Sequence, residues 1–304
     1  MRTDRRSVVL ASLAADALAL GAHWIYDTHQ IDAQIGRVDQ LRTPLSSSFH
    51  TTKKRGDFTH YGDQTVLLLD FLAETGRFDS PLFSRWWQDY FRDYTGYRDH
   101  ATKETLQGLE EGRSPEEAGS ASSDLGGAAR IAPLVYRYHG DQDTLTAAVR
   151  QQTALTHRHP DVVDSAVFFA RVTTAVLGGQ TPLQALQDVL QSCYNRSPFD
   201  RWVTSGIDSR EMTTREAIGQ FGQACDVAAA FPGVVHLIAK YQDAPRSGLV
   251  ENVMAGGDSA ARGLLAGMIF GAFAGRDAVD PDWVTGLNDF RRIESDLDRL
   301  SSAG

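Results

Sequence analysis

The chain has 304 residues, 42% of them apolar, and no Gly/Ser-rich linker, long charge run, repeat or low-complexity tract, so it reads as one domain over 1–304. A formal net charge of −9 argues against binding a phosphate backbone, and nucleic acid is not an expected partner. The two cysteines, Cys193 and Cys225, stand far apart with no CxxC pair, which excludes a disulfide framework, suits a reducing cytosol and makes both read as buried small hydrophobes.

The amino-terminal stretch MRTDRRSVVLASLAADALALGA imitates a signal peptide. Asp4 weakens its basic region and Asp16 interrupts its apolar run, which marks a first core helix of a cytoplasmic protein. His23 and Trp24 follow it: an imidazole titrates near neutral pH and serves as acid or base, and an indole offers a stacking face. Asp27 has two readings, orienting a ring or sugar hydroxyl, or capping a helix. The basic cluster Lys53, Lys54 and Arg55, closed by Asp57, reads as a solvated loop.

HYGDQTVLLL (60–69) opens a helix with a hard carboxylate at Asp63, a hydroxyl at Thr65 and the neutral amide of Gln64 between them. DSPLFSRWWQDYF opens another at Ser80 and Pro81, and Trp86, Trp87, Tyr90 and Phe91 recur at core spacing. SPEEAG opens a further helix after Arg113. Gly126 and Gly127 would let backbone amides approach a phosphate, although Asp124 beside them repels a diphosphate. Residues 161–179 carry helical periodicity that stops at Gly178 and Gly179, and the next helix starts with Thr181 as N-cap and Pro182 at its first position.

The last long helix carries Gly263, Gly267, Gly271 and Gly275. Four glycines on one stripe, each costing about 1 kcal/mol against alanine, imply very close packing on a central helix. Its apolar run is too short to span a bilayer, so no membrane partner is expected. With no sustained strand alternation, the fold class is all-α, a single globule of about a dozen helices.

YGDQT (61–65) and GGDSAAR (256–262), taken with DALALGAHW (16–24), GGAARIAPL (126–134) and LTHRHPDVVDSA (155–166), resemble the ADP-ribosylglycohydrolase family, most closely a divergent branch that includes the jellyfish J-class lens crystallins. The resemblance implies an all-α fold whose Thr-Asp-Asp-Thr and Gly-Gly-Asp-x-Asp-Thr motifs surround two magnesium ions and cleave the bond joining ADP-ribose to a protein side chain or small acceptor. It also implies that His157 lies near a bound nucleotide and that His23 stands at the place of an acidic residue. This chain departs at Gly62, Gln64, Ala260 and Ala261, while Asp63, Thr65 and Asp258 match.

Two dications about 4 Å apart repel by roughly 16 kcal/mol at an effective dielectric of 20, more than two carboxylates offset. One magnesium at most is therefore expected, on Asp63, Thr65 and Asp258, with Gln64 and Ser259 as further oxygen donors. Ranked ahead of it is a metal-free site in which Arg262, four residues after Asp258, sets its guanidinium against Asp258 and Asp63. Helix capping is the competing reading of both aspartates.

The functional expectation is a hydrolase of a glycosidic bond in an ADP-ribose-like or nucleoside-like substrate, free or carried on a protein. Asp63 and Asp258 would face each other and orient water or a ribose hydroxyl, His23 would move the proton, and Trp24, Asp27, Gln64, Gly126, Gly127, His157 and Arg262 would line the substrate. The alternative is a catalytically silent relative, a ligand-binding module or a structural protein of the crystallin kind. The oligomeric state is left open.

Overall fold

The first helix, Arg6–Ala19, is apolar on every side, and such a helix belongs at the centre of a fold. In the computed structural model, which describes residues 5–194 and 198–302, all its residues from Ser7 to Ala19 are buried. Asp4, used in reading the amino terminus, lies outside the described residues.

Its main partner is the glycine-rich helix Ser259–Ala274, buried from Ser259 to Ala272. A Cβ on Gly271 would stand 2.0 Å from the Ser7 carbonyl oxygen, one on Gly267 2.5 Å from that of Ala11, and one on Gly263 3.3 Å from that of Ala15. Three of the four glycines therefore let two backbones touch, and Ser12 seals the contact by donating to the Leu264 carbonyl at 2.8 Å. Gly275 is not part of the stripe: it ends the helix at φ +62°, and a Cβ there would meet nothing.

Among the described residues there are seventeen α-helices and no strand, only the isolated bridges Ser120–His157 and Asp124–Asp226. The number exceeds a dozen because segments such as Thr28–Gln34 and Pro281–Thr285 are too brief for periodicity to register. Start and stop signals act as expected at Pro182–Cys193, capped by Thr181, and at Pro160–Leu177, stopped by Gly178. The tryptophan-bearing helix Ser80–Asp93 is capped by Asp79 rather than opened by Ser80, and SPEEAG gives only the single turn Pro115–Ala118. Trp87 and Phe91 are core, while Trp86 and Tyr90 are partly buried against it. Among the described residues no helix is long and apolar enough to cross a membrane.

Candidate active site

Two glycines in left-handed conformation, Gly256 at φ +72° and Gly257 at φ +65°, turn the chain into the glycine-rich helix. A Cβ on Gly257 would lie 2.2 Å from the Gln223 carbonyl oxygen, so only glycine fits there. The turn places Asp258 as N-cap, wholly buried, with Oδ1 accepting from the Ala261 amide at 3.2 Å. Its Oδ2 faces the Tyr61 hydroxyl at 3.1 Å, and the same hydroxyl lies 3.0 Å from Oδ2 of Asp124. One phenol carries one proton, so two carboxylates around it need another.

Asp124 enters from the 3₁₀ turn Leu125–Gly127, held by the Gly126 amide at 2.7 Å, while the Gly127 amide donates to its carbonyl at 3.2 Å. The Cys225 thiol joins the pair: one ligand atom each from Asp124, Cys225 and Asp258 lie within 4.8 Å of one another. Burial raises the pKa of Asp258, partly opposed by the Arg262 charge. Burial, and then the charge of Asp258, push Asp124 well above the usual carboxylate range. The Cys225 thiol is pushed up by burial and by both carboxylates. Each member of the group therefore favours its protonated form more than the same group does in water.

His23 reaches this cluster, with Nδ1 3.8 Å from Asp258 Oδ1 and neither ring nitrogen hydrogen-bonded. Burial, helped by His50, His60 and Arg262, lowers its pKa well below the ordinary value, so the ring is neutral. Trp24 stacks on it at 4.6 Å between centroids. Trp24 holds φ +64°, the one non-glycine residue with positive φ among those described, and its amide donates to Gly257 at 2.9 Å. Strain of this kind persists where surrounding contacts over-determine the backbone.

A histidine chain lies beside it that lone residues in the sequence did not reveal. His50 Nε2 stands 3.2 Å from His60 Nδ1, and His60 Nε2 stands 3.5 Å from Asp99 Oδ2. Burial, then the neighbouring charges, lowers His50 to about 3. Tyr61 and Cys225 were equally unannounced: the tyrosine stands in the sequence only as the first residue of YGDQT, and the cysteine reads as a small hydrophobe. Cys225 is in fact half-buried and Cys193 exposed.

The structure sends Asp63 elsewhere. Residues two apart on a helix do not share a face, so with Tyr61 turned to Asp258 the helix His60–Thr75 turns Asp63 away. Its carboxylate takes the Lys53 ammonium at 2.7 and 2.5 Å and the Tyr94 hydroxyl at 2.5 Å. Lys53, expected in a solvated loop, has a side chain only 15% exposed. Asp258 thus meets Asp124 rather than Asp63. Nearby Asp16 is fully buried, accepts from the Thr59 amide at 2.8 Å and hydroxyl at 2.6 Å, and is raised by burial to about 7. A Cβ on Gly62 would lie 2.3 Å from Asp16 Oδ2, which explains the glycine in YGDQT.

The remaining expected residues divide. Gln64 accepts from Trp87 Nε1 at 2.9 Å and from Arg130, whose other amino group reaches Thr156 at 2.5 Å and His157 Nδ1 at 3.4 Å. Gln64 and His157 therefore belong to one buried network, and burial lowers His157 to about 3. Thr65 is wholly buried and its hydroxyl donates to the Tyr61 carbonyl at 2.9 Å, within its own helix. Arg262 is wholly buried but donates to Asn252 at 3.0 Å and Gly256 at 2.5 Å instead of pairing with Asp258. Gly126 and Gly127 leave no amide for a phosphate; a Cβ on them would strike the Tyr61 ring at 2.1 Å and His157 at 2.4 Å. Asp27 is exposed and caps Thr28–Gln34 through the His29 amide at 2.9 Å.

Aromatic side chains rim the cluster. Tyr26 is 48% and Phe49 61% exposed, and Trp24 meets Phe49 at 5.4 Å and Tyr97 at 5.1 Å. The hydroxyls of Tyr26 and Tyr97 are raised by burial and then by nearby acids, Asp124 and Cys225 among them in both cases.

These donors do not fit a pair of magnesium ions. Asp63 is neutralised by Lys53, and Ala260 and Ala261 offer nothing. Two carboxylates remain, already bridged by a phenol and set beside a protonated thiol, a poor ligand for so hard a cation.

Over its whole length the chain is similar to known proteins. Crystallin J1A of Tripedalia cystophora is 23% identical, covering 97% of this chain and 95% of its own, and crystallin J1B is 24% identical over 92% and 90%. The uncharacterized protein YegU of Escherichia coli (strain K12) is 23% identical over 100% and 97%. A solved structure described as an ADP-ribosylglycohydrolase-related protein complex superposes with a TM-score of 0.75 at 21% identity, covering 99% of this chain and 98% of that one, which establishes the shared fold. With the family profile for ADP-ribosylglycohydrolase matching residues 2–304, the chain belongs to the ADP-ribosylglycohydrolase family.

Proposed function

We propose that the protein hydrolyses a glycosidic bond in an ADP-ribose-like or nucleoside-like substrate, using the Asp124–Tyr61–Asp258 cluster and no resident ion pair. The observation that carries this reading is the single Tyr61 hydroxyl between the buried Asp258 carboxylate and the partly buried one of Asp124. Pairs of acids pushed to different proton affinities divide the roles of acid and base. Asp124, whose carboxyl burial and the neighbouring Asp258 charge favour in the protonated form, acts as the acid and gives its proton to the leaving atom as the anomeric carbon–heteroatom bond breaks with its electron pair. Asp258, which Arg262 and the Ala261 amide favour as the anion, takes a proton from the attacking water. Neutral His23, 3.8 Å away, returns protons between cycles. The balance is water plus glycoside giving free sugar and protonated leaving group.

Asp258→Asn and Asp124→Asn should each lower kcat by about 10²–10⁴-fold, the usual loss of a general acid or base, with circular dichroism unchanged. Retained turnover in both would remove the reading. The likeness to two lens crystallins favours a second reading, a silent relative, and tight nucleoside binding with no product over long incubation would decide for it.

A further inference from the structure

Beside the carboxylate cluster a groove of about 340 Å³ opens to solvent, lined by Phe49, Thr51, Thr52, Tyr97 and Lys103 among others. That is the size of a small-molecule site rather than a protein docking surface. Phe49 leaves 61% of its surface in water, unusual for a ring with aromatic neighbours at hand. Phe49 and Tyr97 meet edge to face at 63° with centroids 5.5 Å apart, and together they form an aromatic corner of the groove. Thr51 and Thr52 bring hydroxyls that donate or accept, which suits the ring nitrogens and carbonyls of a neutral heterocycle.

Two cations line this groove, each with a partner in the protein. Lys103 lies over the Tyr97 ring at 5.7 Å, and Arg98 donates to the Phe91 and Tyr94 carbonyls. With the amides of Gly126 and Gly127 spent on Asp124, and with Asp99, Asp124 and Asp258 grouped behind Tyr97, a diphosphate finds little to hold it. Tyr97 is shared between groove and active site. It also contacts Trp24 at 5.1 Å and His60 at 5.3 Å, and its hydroxyl senses Asp124 and Cys225. A group attached to a sugar held over Asp124 and Asp258 would emerge along this wall.

We propose that the Phe49–Tyr97 corner is the leaving-group subsite and takes a planar, uncharged heteroaromatic ring, which makes the substrate a nucleoside-type glycoside. This rests on the hydrolase reading above. The bond broken joins the anomeric carbon to a ring nitrogen; the ring keeps the electron pair and gains the Asp124 proton, and water supplies the new hydroxyl of the sugar.

Titration calorimetry with free adenine as probe, and free ribose as control, tests the subsite without catalysis. Adenine should bind the wild-type protein, about tenfold more weakly to Phe49→Ala, within the range that loss of one stacking partner gives, and Phe49→Trp should recover it. Phe49 is exposed, so the alanine variant will fold. Failure of adenine to bind, or equal binding by Phe49→Ala, overturns the subsite. Nucleoside hydrolysis without adenine binding would sink the subsite alone; adenine binding by a protein that hydrolyses no nucleoside would sink the catalytic reading and leave the subsite standing.

Discussion

Asp258 was legible in the sequence because two glycines before an aspartate announce both a tight turn and a helix cap. Its partner was not. Asp124 read as an obstacle to diphosphate, and Tyr61 carried no assigned role, since nothing in a string tells which side of a helix faces a loop sixty residues on. The same ambiguity misassigned Asp63. Its true partner gives a prediction: Lys53→Ala leaves a buried carboxylate uncompensated and should cost about 3–5 kcal/mol in denaturant unfolding, whereas a loss below about 1 kcal/mol would place the pair with weak surface bridges. Asp16 gives another. Its folded pKa of about 7 exceeds the ordinary 3.8, so the folded state holds a proton that the unfolded chain releases. That stabilisation is complete below pH 4 and is lost as pH rises through 7, at about 1.4 kcal/mol per unit. Unfolding measured from pH 4 to 7 should show this slope in the wild type and a flatter one in Asp16→Asn; parallel slopes would contradict the assignment.

At the scale of elements, the sequence was most informative where backbone chemistry left no choice. The glycine spacing of four announced the close contact between the first helix and the glycine-rich one, and its physical cause is the carbonyl oxygens of Ser7, Ala11 and Ala15. Helix starts slipped where two capping residues compete, as at Asp79 and Ser80, and short helices went unseen because one or two turns carry no period. Gly271→Ala should destabilise by about 1–3 kcal/mol despite better helix propensity, because its methyl would overlap the Ser7 carbonyl. Gly219→Ala, on an exposed helix face with nothing within 4 Å, should gain roughly 0.5–1 kcal/mol. Equal effects in thermal unfolding would remove the packing argument.

For the whole molecule, the family was readable from two motifs at opposite ends of the chain, and the fold follows from the family. The site is another matter. Its parts arrive from the turn before Trp24, the loop at Phe49 and His50, Tyr97 and Asp99, the bend at Asp124, and the link to Cys225 that the Asp124–Asp226 bridge holds in place. Loops assembled by tertiary packing leave no periodic trace, so a reader of the string finds the scaffold before the chemistry. The motif changes then acquire a common sense. Glycine at 62 makes room for Asp16, lysine neutralises Asp63, and glutamine at 64 fastens Arg130, so the charge that two ions would need has been dispersed into the core.

The most direct test is nucleoside hydrolysis by protein stripped with EDTA and assayed with and without added magnesium, beside Asp258→Asn. The carboxylate-pair account predicts the same kcat in both wild-type samples and a loss of about 10²-fold or more in the variant. Activity that vanishes on stripping and returns with magnesium would contradict it.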